Sequence, residues 1–353
     1  MRIGLIAPPW IPVPPPAYGG TEAVVDNLAR GLTALGHDVR LFTVGESTCA
    51  VPRASLFPHP IAHMGAGEPE AAHVLAGYEE LADADLIHDH TTLGPLLAAG
   101  SPSLLPPVVT TTHGAFTATR LRTFARIAET ASIVAISHAQ RRSARDIPIS
   151  AVIHHGIDLD TYADGPGGGG YLLFVGRMSE DKGVHRAVRI AHRAGLPLVI
   201  ATKIREPEEH RYYEERVLPL LAPDDPRPIE APLAQRVELM RHADALLNPI
   251  SWPEPFGLVM AESLACGTPV LAFPYGAAPE IVDHGSTGFL CTDEDDMVTA
   301  LDKLPGIDRA ACRDAAVTRF SAERMARDHE RLYRHITAAV PSPRHGDVDL
   351  PSA

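Results

Sequence analysis

The chain has 353 residues, of which 45% are hydrophobic and 21% are charged, as in a soluble globular protein large enough for two domains. Its formal net charge of −13 argues against nucleic acid as a partner and disfavours an anionic membrane. No run of about 18 apolar residues occurs, so no membrane-spanning helix or integral membrane contact is predicted. The four cysteines lack C-x-x-C spacing, which indicates reduced thiols and a cytoplasmic protein.

The first half of the sequence predicts a parallel β-sheet. We expect a buried strand over Met1–Ala7, a proline-rich loop over Pro8–Gly20 and an amphipathic helix over Thr21–Leu35. Further strands are expected at residues 37–44, 85–90, 107–112, 132–137 and 151–154. Helical segments separate these strands. This alternation is typical of a doubly wound, Rossmann-like α/β domain.

The stretch DGPGGGGY at residues 164–171 interrupts the alternation. Its consecutive glycines cannot hold regular structure without a large entropic cost. We interpret residues 164–170 as a linker that follows an N-terminal domain of residues 1–163, to which we assign the acceptor. The alternative is a surface loop inside a single domain.

The alternation resumes after the linker and predicts a second Rossmann-like domain of residues 171–320. Its strands are expected at residues 171–175, 197–202, 228–230, 245–249 and 269–272, and its helices at 183–194, 233–242, 256–266 and 293–304. A helix over 321–338 is expected to return toward the N-terminal domain. Residues 339–353 are expected to be disordered.

Two glutamates stand eight residues apart in WPEPFGLVMAESLACGTPV, residues 252–270. The helix here is predicted to begin near Phe256 or Gly257, after two prolines that hold the chain extended. The amides of Phe256, Gly257 and Leu258 would then have no partner within the helix and could bind phosphate. Glycine at position 257 would allow a ligand to approach closely.

The two acids could flank such a phosphate. Glu262, about a turn and a half into the helix, could accept hydrogen bonds from the two hydroxyls of a ribose. Glu254, before the helix, could accept hydrogen bonds from a sugar beyond the diphosphate. The alternative is that Glu262 only interacts with the helix dipole and that Glu254 is solvated.

Two cations follow the first strand of the second half, in VGRMSEDKG at residues 175–183. Arg177 and Lys182 would lie at the carboxyl edge of a parallel sheet, which suits a ligand with two phosphates. The alternative is a solvated turn in which they pair with Glu180 and Asp181.

Taken together, these motifs resemble the retaining glycosyltransferases of family 4, which have the GT-B fold. The pattern G-R-x4-K-G, followed by E-P-F-G-L-V-x2-E-x3-C-G-T-P-V, carries the resemblance, and YGGTE, DLIHDH, TTTHG and VAISHA add to it over residues 1 to 335. The wording of the motifs is closest to actinobacterial members, which suggests an antibiotic-pathway enzyme of the avilamycin type.

The resemblance implies two Rossmann-like domains that face each other across a cleft. It also implies retaining transfer of a sugar, without a metal or other cofactor, from a nucleotide-diphosphate sugar, with UDP the expected nucleotide, to a hydroxyl acceptor. Arg177 and Lys182 match the family's phosphate-binding cations, and Glu254 and Glu262 match its glutamate pair. No motif identifies the acceptor, which could be a natural product or a glycan, and the sequence leaves the oligomeric state open.

Further site residues are expected from the same resemblance. His113 would contact the donor hexose or position the reacting centre, unless it is a structural histidine bonded to a backbone carbonyl. Gly19 and Gly20 would let the first loop approach the diphosphate or the acceptor, unless they only form a tight turn. Lys203 stands where the family often has a glycine-rich turn, and could add a phosphate or base contact.

Other acidic and histidine pairs are interpreted as structural. Asp83-Ala84-Asp85 has the spacing of a metal-binding pair but precedes a strand, and His88-Asp89-His90 would alternate sides of a strand. His154-His155 is read as a strand-to-loop transition. The competing functions are a non-catalytic nucleotide-sugar-binding module, a sugar-nucleotide epimerase and a phosphorylase of the same fold.

Overall fold

A computed structural model of the protein describes residues 1–17, 19–100 and 106–339. Tyr18 of the glycine loop and residues 340–353 of the expected disordered tail lie outside the described residues. Strands and helices alternate along both halves of the described chain. The α/β class with two parallel sheets is therefore confirmed.

The strands in chain order are β1 (Arg2–Ile6), β2 (Asp38–Thr43), β3 (Arg53–Ser55), β4 (Leu86–Asp89), β5 (Val108–Thr111), β6 (Ala131–Ala135), β7 (Ala151–Val152), β8 (Leu172–Arg177), β9 (Leu198–Lys203), β10 (Ala245–Asn248), β11 (Val270–Ala272) and β12 (Gly288–Leu290).

The α-helices are α1 (Gly20–Ala34), α2 (Gly67–Glu80), α3 (Leu93–Ala98), α4 (Ala118–Ile127), α5 (His138–Ser143), α6 (Val184–Ala194), α7 (Pro207–Tyr212), α8 (Leu233–His242), α9 (Leu258–Ala265), α10 (Ala278–Ile281), α11 (Glu294–Leu301), α12 (Arg309–Phe320) and α13 (Ala322–Ala339).

Within the described chain, the first sheet has seven parallel strands in the order β3-β2-β1-β4-β5-β6-β7. Its central strands are buried on both faces, because side chains alternate between two cores. Leu5 of β1 points into one core with Leu28 of α1, and Ile6 points into the other with Val74 of α2. The polar side chains at the carboxyl ends of these strands are thereby held at one edge.

The second sheet has five described strands, in the order β12-β11-β10-β8-β9. Leu173 of β8 packs into one core with Leu264 of α9, while Phe174 packs into the other with Val188 of α6. The strand order reverses next to β8, which is where ligands bind in open α/β sheets.

The last helix crosses from the second sheet to the first. Ile157 pairs with Ser321 in an isolated bridge just before α13 begins. Helix α13 then packs on α1, where Gly31 lies so close that an added Cβ would be 2.7 Å from Ala326 Cβ. Tyr333 is fully buried there, and its hydroxyl lies 2.6 Å from Nδ1 of His88.

The glycine-rich segment at 164–170 is anchored rather than free. The amides of Gly165, Gly167 and Gly169 donate to the carbonyls of Cys266, Arg241 and His242, respectively. Those carbonyls lie at the C-terminal ends of α9 and α8, where helices leave acceptors unpaired. The segment therefore lacks regular structure, as its glycines indicate, but its backbone is bonded to the second half of the chain.

The expected elements differ from the structure at several points. The strand predicted at 228–230 is wrong, because only Ile229 forms an isolated bridge, to Ala201. The short edge strands β3 and β12 and the helices α7 and α12 were not predicted. Edge strands of three residues carry too few side chains for the alternation of apolar and polar residues to be visible in the sequence.

No helix of the described residues is both long and apolar enough to cross a bilayer. All four cysteines are buried and unpaired with one another.

We expect Tyr333→Phe to lower the free energy of unfolding by about 1–3 kcal/mol, because it leaves the buried Nδ1 of His88 without its partner. Urea denaturation measures this change. A matched control is Tyr275→Phe, since Tyr275 is exposed. Equal stability of Tyr333→Phe and the wild-type protein would contradict the role given to this bond.

Candidate active site

A cavity of about 480 Å³ lies between the two halves of the molecule, at the carboxyl edges of both sheets. Pockets of this size hold small-molecule ligands and cofactors. Its wall includes, from the first half, Gly19, Gly20, Thr21, Asp26, Asn27, Arg30, His113, His155, Asp158 and Tyr162, and from the second half Gly176, Lys182, Arg236, Glu254, Phe256, Gly257, Leu258, Val259 and Glu262.

Helix α9 points its N-terminus into this cavity. Gly257 is the N-cap, with the left-handed φ of 94° that favours glycine. Its carbonyl accepts from the amide of Met260 at 3.0 Å, whereas the amides of Leu258 and Val259 meet no acceptor among the described residues. The helix begins at Leu258, so the amide of Phe256 precedes it, and the side chain of Phe256 is buried.

The N-terminus of α1 meets that of α9 across the cavity. Gly19, in an extended conformation, is the N-cap of α1, and Gly20 is its first residue. A Cβ added to Gly20 would lie 3.2 Å from Cδ1 of Leu258, so the two helix ends are in contact distance. Each end carries a partial positive charge, and the pair favours an anion between them.

Lys182 and Glu254 form an ion pair on the cavity wall. Only 14% of the lysine side chain and 16% of the glutamate side chain are exposed, and Nζ of Lys182 lies 5.1 Å from the ring centroid of Trp252. Lys182 is predicted to bind phosphate and Glu254 to bind the sugar. In this structure the two side chains neutralise each other.

Glu262 faces the cavity from the second turn of α9. Tyr162 and Arg236 are its polar neighbours. Burial raises the pKa of the Glu262 carboxyl, and the charge of Arg236 and the Tyr162 hydroxyl oppose that rise. The carboxylate lies at the same wall as the α9 amides, where the spacing of the two glutamates predicts it.

Two of the expected cations do not lie on the cavity wall. Arg177 ends β8 directly after Gly176, but its side chain is 43% exposed, and its guanidinium lies 3.5 Å from the carboxylate of Asp181. This is the alternative arrangement that the sequence left open. Lys203 ends the neighbouring strand β9 and lies 3.9 Å from Glu209. Both would have to reorient to reach a ligand in the cavity.

His113 lies on the wall, with both ring nitrogens occupied. Nε2 is 3.0 Å from Nδ1 of His90, and Nδ1 is 3.3 Å from Nε2 of His155. Burial, followed by the charge of Arg120, lowers the pKa of His113 to about 3, so its imidazole is neutral. The ring has no nitrogen left for a hexose in this conformation, contrary to the contact expected from the sequence.

His155 was not predicted as a site residue, yet it lines the cavity. Its neighbour His154 has the structural role that the sequence indicates, 2.9 Å from Glu280. Arg236 and Tyr162 were also missed. No local motif marks these residues, because they reach the cavity only through packing between segments that are distant in sequence.

The first half also contributes a compact charge network to the wall. Arg30 donates to Asp26 and Asp158, each at 2.9 Å, and to Asn27 at 2.7 Å. Two carboxylates thus surround one guanidinium, so the charge of Arg30 is already balanced on this wall.

The two possible metal motifs have other contacts. Asp83 and Asp85 pair with Arg40 and Arg2, and Asp89 accepts from the hydroxyl of Tyr78 at 2.8 Å. Within the described ranges, no group of three or more His, Cys, Asp or Glu side chains could hold a metal ion.

Two facing Rossmann-like domains, with a helix N-terminus and a paired cation at the cleft, define a GT-B type of molecule. Family models agree with this class. The model described as Glycosyltransferase Family 4 matches residues 18–161, and the model described as Glycosyl transferases group 1 matches residues 165–305. The chain belongs to the family 4 type of glycosyltransferases with the GT-B fold.

Curated relatives show how far the similarity extends. The chain is 30% identical to the D-inositol 3-phosphate glycosyltransferase of Pseudarthrobacter chlorophenolicus over 208 residues, which are 53% of this chain and 47% of that protein. It is 26% identical to the alpha-maltose-1-phosphate synthase of Mycobacterium tuberculosis over 345 residues, 85% of this chain and 86% of that protein. The first relative is thus matched over about half its length.

Solved structures give the same fold. AviGT4, a glycosyltransferase involved in avilamycin A biosynthesis, is 27% identical with a TM-score of 0.67, covering 96% of this chain and 98% of its own. Anabaena Alr3699/HepE in complex with UDP and glucose is 20% identical with a TM-score of 0.73, covering 94% and 98%.

Glu22 is a buried acid beside the cavity, in the first turn of α1. No cation of the described chain pairs with it. Burial raises the pKa of its carboxyl from 4.5 to about 7. The folded protein therefore holds this proton at pH values where the unfolded chain has released it.

This difference in pKa predicts that Glu22→Gln raises the free energy of unfolding by an amount that depends on pH. Below pH 4.5 Glu22 is protonated in both the folded and the unfolded wild-type protein, so it does not affect the free energy of unfolding. As pH rises, the buried carboxyl lowers the free energy of unfolding, and this loss is complete above pH 7. We expect the variant to match the wild type at pH 4.5 and to unfold with about 1–3 kcal/mol more free energy at pH 8.

Urea denaturation at both pH values measures the effect. Glu68→Gln is the matched control, since Glu68 is an exposed acid in the first turn of α2. A variant that is less stable than the wild type at pH 8 would contradict the burial of an ionised Glu22.

Proposed function

We propose that this protein is a retaining, metal-independent glycosyltransferase that uses a UDP-sugar as donor and a hydroxyl group as acceptor. The observation that carries the proposal is the meeting of two helix N-termini at Gly20 and Leu258, beside Lys182. Two dipole ends and a cation form a site for a diphosphate.

The donor would lie along the second-half wall of the cavity. The amides of Leu258 and Val259 would bind the diphosphate, and Glu262 would accept hydrogen bonds from the ribose hydroxyls. UDP as the nucleotide is supported by the structure of Anabaena Alr3699/HepE, which is a complex with UDP and glucose.

The binding of a diphosphate would break the ion pair of Lys182 and Glu254. Lys182 would turn to the phosphate oxygens, where an ionised acceptor forms a strong charge-assisted bond. Glu254 would then be free to accept hydrogen bonds from hydroxyls of the sugar. The ion pair thus serves as a latch that a diphosphate sugar, with both an anion and hydroxyl groups, can open.

Catalysis would consist of stabilising the leaving group. The bond between the anomeric carbon and the diphosphate oxygen breaks, and negative charge grows on the diphosphate, where the α9 amides and Lys182 meet it. The acceptor oxygen attacks the same face of the sugar and forms the new glycosidic bond. Its proton passes to the departing diphosphate, so the products are the glycoside and UDP.

The acceptor would enter from the first-half wall, beside Arg30 and His155. AviGT4 is involved in avilamycin A biosynthesis, which supports a natural-product acceptor and an antibiotic pathway. A glycan acceptor would fit the same wall, whose polar side chains include Asp26, Asn27 and Asp158.

The function is tested with a panel of nucleotide sugars, by following the release of free nucleotide and the anomeric configuration of the product by NMR. We expect UDP-sugars to be hydrolysed slowly without acceptor and without added metal, and we expect a glycoside formed with an alcohol acceptor to keep the anomeric configuration of the donor. A thermal shift without turnover indicates a binding module, and an isomerised nucleotide sugar indicates an epimerase; either outcome overturns the proposal.

The latch predicts opposite effects for its two residues. Lys182→Met should weaken UDP binding about tenfold or more, because the charge-assisted bond is lost. Glu254→Gln should leave UDP binding unchanged or tighter, while kcat/KM for UDP-sugar hydrolysis falls about 10–100-fold. Calorimetry and hydrolysis rates separate the two. Lys303→Met, at an exposed position, is the matched control; equal losses of UDP affinity in both latch variants would exclude the latch.

A further inference from the structure

Three histidines form a hydrogen-bonded row from the interior of the first half to the cavity. Nδ1 of His90 lies 3.0 Å from Nε2 of His113, and Nδ1 of His113 lies 3.3 Å from Nε2 of His155. The rings of His113 and His155 are stacked, with centroids 5.1 Å apart. His90 is buried, and the centroid of its ring lies 4.1 Å from that of His88.

The inner end of the row determines where the protons sit. Nε2 of His90 is buried and has no hydrogen-bond partner. A buried N–H without an acceptor is rarer and more costly than a lone pair without a donor. His90 therefore carries its proton on Nδ1 and donates to His113, and His113 carries its proton on Nδ1 and donates to His155.

The outer end of the row then presents a donor to the cavity. Nε2 of His155 accepts from His113, so the proton of neutral His155 is on Nδ1. That nitrogen meets no partner among the described residues, and His155 lines the cavity. Burial lowers the pKa of His155 well below its usual value, which keeps the ring neutral. The edge-on contact with Phe256, at 5.1 Å between centroids, fixes the ring plane.

We propose that Nδ1–H of His155 donates a hydrogen bond to an oxygen of the transferred sugar, with His113 and His90 acting as positioning residues that fix its tautomer. This inference rests on the proposed function, because it requires a nucleotide sugar in the cavity. His155, rather than His113, is then the imidazole that contacts the donor.

The position of His155 favours the sugar over the diphosphate. Of the groups that would bind the diphosphate, Lys182 and the amides of Leu258 and Val259 belong to the second half, and the start of α1 at Gly20 belongs to the first. His155 lies on the opposite wall, and its ring contacts that of Phe256, just before Gly257 in the second half. A donor at that point reaches the part of the ligand that extends from the diphosphate toward the first half.

Three substitutions at one position test the proposal. The amide nitrogen of asparagine lies as many bonds from Cβ as Nδ1 of histidine, and that of glutamine as many as Nε2. We expect His155→Asn to keep kcat/KM for UDP-sugar hydrolysis within about threefold. His155→Gln and His155→Leu should lose about 10–100-fold, as expected for one lost hydrogen bond to substrate. UDP affinity, by calorimetry, should stay within about threefold in all three.

The outcomes separate the inference from the function on which it rests. If the wild-type protein neither binds UDP nor hydrolyses any UDP-sugar, the proposed function fails. If the wild type is active and His155→Leu matches it, the inference alone is overturned. A parallel loss of UDP affinity would assign the bond to the diphosphate and would overturn the proposal.

A second measurement reads the tautomer directly in the wild-type protein. Long-range ¹H–¹⁵N NMR of the histidine-labelled wild type distinguishes the two neutral tautomers, with His155→Asn used to assign the signal. We expect the Nδ1–H form for His155, and a shift of that proton when UDP-glucose, but not UDP, is added. If His155 is in the Nε2–H form, the direction of hydrogen-bond donation from His90 to His155 is wrong. His192→Asn, at an exposed histidine paired with Asp225, is the control for assignment and activity.

Discussion

The approach of two helix N-termini across one cleft is the constraint on which the site depends. Helix α9 can begin where it does because Gly257 adopts a left-handed conformation, and α1 can approach it because Gly20 has no side chain. Each helix leaves amides unpaired at its start. The close approach of the two helix N-termini concentrates partial positive charge. An anion can neutralise this charge, whereas the described side chains of the wall do not.

Charged and titratable groups around this point are bonded to one another. Lys182 pairs with Glu254, and Arg30 is held between Asp26 and Asp158. Such pairs offset part of the cost of removing these charges from water. They also make the site selective, because a ligand must offer both a phosphate for the lysine and hydroxyls for the acid. In the histidine row, neutral side chains are likewise bonded to one another. Each ring determines which nitrogen of the next ring carries the proton.

The sequence predicts the parts of this arrangement that follow from local rules. Lys182, Glu254 and Glu262 reach one cavity because parallel strands all end at the same edge of a sheet, so their following turns must meet. The start of α9 was misplaced by one or two residues, because the left-handed conformation of Gly257 is not visible in the sequence. The outward orientation of Arg177, the pair of Lys182 with Glu254, and the row from His90 to His155 depend on contacts between distant segments, which no local spacing encodes.

The central claim is tested most directly by a crystal structure of the protein with a bound UDP-sugar. The account predicts a diphosphate within hydrogen-bond distance of the amides of Leu258 and Val259, with the ammonium group of Lys182 on a phosphate oxygen and released from Glu254. A diphosphate bound away from the start of α9, or an intact Lys182–Glu254 pair beside the bound ligand, would contradict it.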